Sequence, residues 1–225
     1  MTRIYANEEM YRQSEKWSPV MDNGVLIIDD FYENPDEIYD MLENRPLPLW
    51  KYNPERKSPN GDDYFDCRVI DMNGHPSRIY YRDMQRILDI CRRYWHKGDY
   101  DWNTHYEFNC FSTANIFNKE MQHYPHIDSA LDVPDNMATL NMLVYMDKEE
   151  DGGTAIYGGE WITNREEQGL LYRVEDRFKL ERVIPAKYNR CVIFPGNQMH
   201  GAYIEDYSKY LEKFRYTQVI FFHPR

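Results

Sequence analysis

The sequence predicts an α+β protein, mainly β: an antiparallel double-sheet barrel of jelly-roll type with its N-terminal helices packed on one side. Three observations predict it. Helical spacing of apolar residues is confined to the first hundred positions. Beyond Trp102 the period changes to that of strands, in many short apolar runs separated by turn residues. Finally, 225 residues at 42% hydrophobic content are enough for one well-filled domain. Residues 1–225 are therefore read as a single domain, with 1–104 a strand and helical support region and 105–225 the jelly-roll core.

Residues 1–22 are polar and weakly patterned, an arm or short helix. Residues 24–31 form an apolar run closed by acids, which suits a buried strand. Helix signals follow: Asn34 as N-cap, Pro35 at the first helical position, Asp36 and Glu37 in the first turn. Ile38, Met41 and Leu42 make its apolar stripe, and Pro46 and Pro48 end it. Residues 52–66 are rich in Pro, Asn, Asp and Gly, the chemistry of a long loop that can serve as a lid. Residues 77–96 predict an amphipathic helix with Ile79, Met84, Ile87, Leu88, Cys91 and Trp95 inward and its arginines in solvent. Strands are then expected over 108–117, around 123–128, over 139–146, 154–157, 191–194, 201–204 and 214–222. An acidic turn over 147–153 ends in Gly152-Gly153, read as a hairpin between the flanking strands, and 158–178 is a long charged connection.

Composition excludes some functions. The formal net charge is −11, so a long polyanionic backbone is repelled and nucleic acid is disfavoured as the main partner. Aromatics reach 16% with 20 tyrosines, suiting a sheet-rich core with polar rims or a ligand cleft. Cys67, Cys91, Cys110 and Cys191 are widely spaced with no CxxC pair, so neither zinc-site spacing nor a disulfide framework is present. There is no signal-like apolar run and no stretch of membrane-spanning length, so a cytoplasmic protein with reduced thiols and no membrane partner is expected.

The chemistry-bearing stretch is His126-Ile127-Asp128. On a strand, residues two apart share a face, so His126 and Asp128 point to one place and Ile127 away. A second imidazole from a later strand, His200, completes a two-histidine, one-carboxylate set. That set caps one face of an octahedral metal and leaves the other open, the arrangement of non-heme Fe(II) oxygenases. With seven histidines in the chain, His-x-Asp alone means little, and a surface hydrogen-bonded pair is the plain alternative. His105 and Glu107 form a competing His-x-carboxylate pair without Gly-Gly after it. His123 faces the other side from His126, and His223 reads as structural. Tyr124, Asn115, Asn141 and Tyr145 either line a cofactor pocket or pack within the sheet.

The order of segments adds what no single motif has. His126-Ile-Asp128, Ala138-Thr-Leu-Asn-Met-Leu-Val-Tyr-Met-Asp147, Gly152-Gly153-Thr154, Arg190-Cys-Val-Ile-Phe-Pro195, Met199-His200-Gly201 and Phe214-Arg-Tyr-Thr217 follow one another. In this the chain resembles the 2-oxoglutarate- and Fe(II)-dependent oxygenase superfamily, whose core is a double-stranded β-helix, and it looks closest to the prolyl-4-hydroxylase-like branch. The resemblance covers about half of the chain. It implies that His126, Asp128 and His200 bind Fe(II), and that Arg215 pairs with the far carboxylate of 2-oxoglutarate. It implies as well that Thr217 adds a hydroxyl to that carboxylate and that Tyr124 and Asn141 belong to the cofactor pocket. O2 would take the last metal position. Arg215 stands where prolyl hydroxylases generally have lysine, as it does in many other branches, and the stretch from His200 to Arg215 is longer than usual. Halogenating relatives lack the carboxylate ligand, so Asp128 disfavours halogenation.

The expected function is thus hydroxylation of an amino-acid residue of a protein, or of a small molecule, with 2-oxoglutarate converted to succinate. A non-catalytic jelly-roll binding module and a nucleic-acid demethylase on the same scaffold are the alternatives. Specificity is assigned to loops 52–66 and 158–178, with Trp161, Arg165, Tyr172 and Arg173 in the latter.

Overall fold

In a computed structural model of the chain, the described residues are 13–44, 51–52, 66–71, 81–110, 126–129, 132–159, 178–210 and 213–225. A short helix α1 (Gln13–Lys16) precedes a hairpin of β1 (Val20–Asp22) and β2 (Val25–Ile28). The single strand expected over 24–31 is corrected here. Asn23 and Gly24 close the hairpin with φ of 43° and 80°, the left-handed turn that an Asn-Gly pair adopts at little cost. Gly24 is therefore turn, not strand, and β2 ends at Ile28 before Asp30 turns the chain with φ of 51°.

Helix α2 (Pro35–Glu43) starts with Pro35, Asp36 and Glu37 as the sequence predicts, but Asn34 makes no side-chain capping bond. Its end is closed by Asn44, whose amide and Nδ2 both donate to the Asp40 carbonyl; Pro46 and Pro48 lie outside the described residues. Helix α3 spans Tyr81–Tyr94, and Met84, Ile87, Leu88, Cys91 and Trp95 are buried as their spacing requires. Residues 77–80 lie outside the described residues.

The remaining strands are β3 (Lys51–Tyr52), β4 (Asp66–Asp71), β5 (Tyr100–Cys110), β6 (Leu140–Tyr145), β7 (Gly153–Gly159), β8 (Phe178–Pro185), β9 (Cys191–Pro195), β10 (His200–Tyr203) and β11 (Arg215–Pro224). They form an eight-stranded sheet in the order β1-β2-β9-β6-β11-β5-β4-β3 and a facing three-stranded sheet β10-β7-β8, all neighbours antiparallel. This is the double-stranded β-helix, with α2 and α3 packed on one face of the large sheet.

Register separates the two faces of the large sheet. Asn141 lies opposite Phe194 and Phe221, Leu143 opposite Val192 and Val219, and Tyr145 opposite Thr217, so this set faces the barrel interior. The alternate set, including Leu140, Met142, Val144, Cys191, Ile193, Ile220 and Phe222, packs with Ile38 and Leu42 of α2 and Ile87 and Cys91 of α3. Nearly every residue of β6 is buried, because both its faces are covered. Truncating Leu42 or Ile87 in this layer to Ala costs on the order of 2–5 kcal/mol. Between the sheets Val25, Tyr145, Ile156, Ile184, Val192 and Phe194 form a second core.

Two strands fall where no element is expected. β4 follows the loop, and β8 follows the connection; β5 also starts at Tyr100 rather than 108, while 111–117 and loop residues 53–65 and 160–177 lie outside the described residues. β8 is an edge strand with Lys179, Leu180 and Glu181 exposed, so its burial does not alternate. Arg182 joins that edge to the first hairpin, donating to the carbonyls of Asp22 and Asn23 at 3.0–3.3 Å.

The Gly152-Gly153 segment is a corner between sheets rather than a hairpin, since β6 and β7 belong to different sheets. A Cβ on Gly152 would overlap the Tyr203 carbonyl and one on Gly153 the Ile184 carbonyl, and both have positive φ (62° and 148°). Asp151 ties the corner to the exit of β10, accepting the Glu205 and Asp206 amides at 2.9 and 3.2 Å and the Lys209 ammonium at 3.2 Å. The extra length before Arg215 is taken up by a 3-10 turn, Tyr207–Tyr210. Among the described residues no helix is long and apolar enough to cross a membrane.

Candidate metal centre

β10 begins with His200, whose amide and carbonyl both bond to His126 in an isolated antiparallel bridge. The chain then bends. The amides of Asp128 and Ser129 both donate to the Gly196 carbonyl, at 2.7 and 3.1 Å. Among the described residues His126 and Asp128 are thus brought together by one bridge and a bend, not by a continuous strand as their spacing suggests. The outcome for the side chains is that one ligand atom each of His126, Asp128 and His200 lies within 4.8 Å of the others. It is the one such group of His, Cys, Asp and Glu side chains found among the described residues.

His200 Nε2 is 3.3 Å from Asp128 Oδ2, and His126 Nε2 is 4.0 Å from Asp128 Oδ1. His200 Nδ1 is 2.8 Å from the Gln198 carbonyl; a carbonyl only accepts, so Nδ1 bears the proton and Nε2 the lone pair. Nε2 and Oδ2 are then two electron-pair donors facing each other across 3.3 Å, an arrangement that a divalent cation satisfies. Burial raises the pKa of Asp128; when the imidazoles carry protons instead, the hydrogen bond from His200, the charges of both rings and the Asn141 amide outweigh it. The carboxyl is held at about 2. Phe194 packs edge-on against His200, centroids 4.8 Å apart, on the interior side.

Deeper in the barrel lies Arg215, 4% exposed. Its Nη2 donates to the Gly153 carbonyl at 3.1 Å, and no carboxylate among the described residues is in hydrogen-bond contact with it. A buried guanidinium has five donors, and those without a partner among the described residues could meet an anion. Thr217, two residues on and on the same strand face, is buried, and its Oγ1 finds no partner among the described residues. Tyr145, opposite Thr217, shares a 2.7 Å hydrogen bond with Thr154, and burial pushes its phenol up to about 12. Asp147 accepts the Tyr210 hydroxyl at 2.5 Å, and burial raises its carboxyl above the usual range.

Asn141 is 1% exposed and its Nδ2 donates to Asp128 Oδ2 at 2.6 Å, so it touches the carboxylate directly. Sequence reasoning placed it in the cofactor pocket and missed this contact. It missed Gly196 as well, although Gly after Pro195 at a strand end is a turn signal. Tyr124, His123, Asn115, Trp161, Arg165, Tyr172 and Arg173 lie outside the described residues. His105 and Glu107 lie in β5, paired with Val219 and Thr217. His223 Nδ1 is 3.3 Å from Thr139 Oγ1, and its ring stacks beside Phe221 with centroids 6.4 Å apart.

No protein-family model and no curated protein matches the chain. Solved structures do match its fold. HygX from Streptomyces hygroscopicus, with nickel, 2-oxoglutarate and hygromycin B bound, superposes with a TM-score of 0.56 at 14% identity, covering 97% of this chain and 88% of that one. The non-heme alpha ketoglutarate dependent epimerase SnoN from nogalamycin biosynthesis gives 0.50 at 11% identity, over 96% of this chain and 80% of that one. The carbocyclase SnoK, from the same biosynthesis, gives 0.50 at 12%, over 99% and 86%. At these identities the likeness is one of fold.

Proposed function

We propose that this protein is an Fe(II)- and 2-oxoglutarate-dependent dioxygenase that hydroxylates a small molecule or an amino-acid residue of a protein. The observation that carries the reading is the meeting of His126, Asp128 and His200 within 4.8 Å, with the buried Arg215 and a Thr217 hydroxyl that has no hydrogen-bond partner among the described residues farther in. The residues fit the group: two imidazoles and one carboxylate suit a borderline divalent metal with open positions. When bound, Fe(II) with 2-oxoglutarate and O2 supplies the oxidising power, one oxygen atom ending in succinate and the other in the substrate's new hydroxyl as CO2 leaves.

The chain's own residues bind and orient. His126 Nε2, His200 Nε2 and Asp128 hold the metal, and the Gln198 carbonyl keeps His200 in the tautomer whose Nε2 is a donor of electrons. Arg215 takes the far carboxylate of 2-oxoglutarate with a guanidinium fork, and Thr217 adds its hydroxyl proton. Leu143, Val192, Phe194 and Val219 share the interior face between the two ends and keep water out.

Two features support a substrate that is not a long polyanion: the net charge of −11 and the small-molecule settings of the fold's neighbours, HygX with hygromycin B and SnoN in nogalamycin biosynthesis. The motif resemblance to the prolyl-4-hydroxylase-like branch supports a peptide side chain as the second reading. Buried thiols at Cys91 and Cys191 suit a reducing, cytoplasmic setting.

Anaerobic titration with Fe(II) and then 2-oxoglutarate is expected to develop a weak visible charge-transfer band, and succinate to form on admitting air. His200→Ala should abolish the band. A band that survives in that variant rules out this metal site.

A further inference from the structure

The amide of Asn141 does not suit its place in the strand. β6 is apolar on both sides of it, and Asn141 lies between Phe194 and Phe221 in register. Its Oδ1 is buried without a hydrogen-bond partner among the described residues. A buried acceptor left unmade is destabilising, whereas an apolar side chain of similar shape at such a position is close to neutral or better. Polar side chains that break the local rule in this way concentrate at functional sites.

The other end of the amide shows what it touches. Nδ2 donates to Asp128 Oδ2 at 2.6 Å and lies 3.2 Å from His200 Nε2, so one nitrogen adjoins both residues. Asp128 itself sits in a bend, not in a ladder. Its backbone is clamped by Gly196, whose carbonyl takes the Asp128 amide at 2.7 Å and whose own amide donates to Thr139 at 2.6 Å. The Gly196 clamp fixes where the residue is. Among the described residues, the Asn141 amide, held in a strand with neighbours on both sides, is a fixed side-chain donor to that carboxylate, beside His200 Nε2 at 3.3 Å.

We infer that Asn141 is a positioning residue: by donating to Oδ2 it turns the Asp128 carboxylate edge-on toward the two imidazoles and so sets the affinity and ligand field of the metal site. The inference rests on the metal-site reading above and names a residue outside the ligand set.

The test uses the whole chain and two substitutions, Asn141→Leu, close in shape, and Asn141→Val, β-branched and at home in a strand. Fe(II) affinity is measured anaerobically, the visible spectrum is recorded with Co(II) as a probe of ligand arrangement, and thermal unfolding is followed without metal. Loss of such a supporting hydrogen bond lowers metal affinity by about 10–100-fold. That loss, with an altered Co(II) spectrum and an apo melting temperature unchanged or higher, is the expected result for whichever variant folds. A folded variant with wild-type affinity and an unchanged Co(II) spectrum overturns the inference, as does failure of both variants to fold, since Asn141 would then serve the strand. If the wild-type chain binds neither Fe(II) nor Co(II), it is the metal site that fails, and the two failures are told apart by that control.

Discussion

His126 and His200 are joined through their backbones, each amide donating to the other's carbonyl at 2.8 and 2.9 Å, with ring centroids 4.3 Å apart. Because main-chain bonds set the two Cα positions, the imidazoles are brought side by side without needing a metal to gather them. A site arranged in advance loses little entropy on loading.

It follows that His126→Ala should leave the fold intact and remove a ligand. The bridge uses no side-chain atom, so the apo melting temperature is expected within a few degrees of wild type, about the scale of a 1 kcal/mol change. Fe(II) affinity should fall by about 100-fold or more, beyond what loss of a supporting residue does. A calorimetric titration checks both; undiminished affinity would remove His126 from the ligand set.

Gly196 has little room for a side chain. A Cβ there would sit 3.0 Å from the Thr139 carbonyl, 3.1 Å from Asn141 Oδ1 and 3.2 Å from Asp128 Cβ. Gly196→Ala is expected to cost about 1–3 kcal/mol in urea unfolding by overpacking. It should also weaken Fe(II) binding by about tenfold, because the strain is relieved by moving the carboxylate or its amide partner.

Arg215 reads as the anchor of an anion, and Arg215→Lys separates charge from geometry. Lysine keeps the positive charge but loses the planar fork and the reach to the Gly153 carbonyl. Losing one charge-assisted hydrogen bond, about 1.5–3 kcal/mol, should raise the KM for 2-oxoglutarate by about 10–100-fold while kcat changes much less. Steady-state succinate formation is the measurement. An equal fall in kcat with KM unmoved would place Arg215 elsewhere in the reaction.

A fourth expectation concerns stability and pH. Asp29 Oδ1 accepts Arg190 Nε at 2.7 Å, and Oδ2 accepts Arg190 Nη2 at 3.2 Å and Lys187 at 3.1 Å. The Arg190 bond, chief among these, outweighs burial and lowers the Asp29 pKa below its ordinary 3.8. A depressed carboxyl stabilises the fold above its unfolded pKa, and the contribution is lost as pH falls below 3.8 through the folded value. The side chain is 39% exposed, so solvent screening holds Asp29→Asn to about 0.5–1 kcal/mol at pH 7. Denaturation at pH 7 and near pH 3 should show the difference shrinking at the lower pH; a difference that grew would reverse the sign of the argument.

The helices were legible from their apolar spacing, and α2 also from Pro35 and the acids of its first turn. β6 and β11 were legible as apolar runs. β8 was not, because an edge strand leaves Lys179, Leu180 and Glu181 in solvent and so shows no alternation. The first hairpin was hidden because its two strands are short, although Asn23-Gly24 names the turn. The Gly152-Gly153 corner was mistaken for a hairpin because turn residues report a change of direction and not which sheet the next strand joins.

Taken alone, the sequence determined what depends on neighbours along the chain: which stretches are helix or strand, which faces are apolar, and that His126, Asp128, His200 and Arg215 follow one another in an order resembling that of the oxygenase superfamily. Only the tertiary structure decided what depends on register between distant strands. His126 bridges His200, Gly196 clamps Asp128, Asn141 reaches its carboxylate, and Arg215 lies buried deeper in the barrel. The physical reason is that local preference is set by a residue and its near neighbours, while a pairing between strands is chosen by the burial of whole faces, which no short stretch encodes.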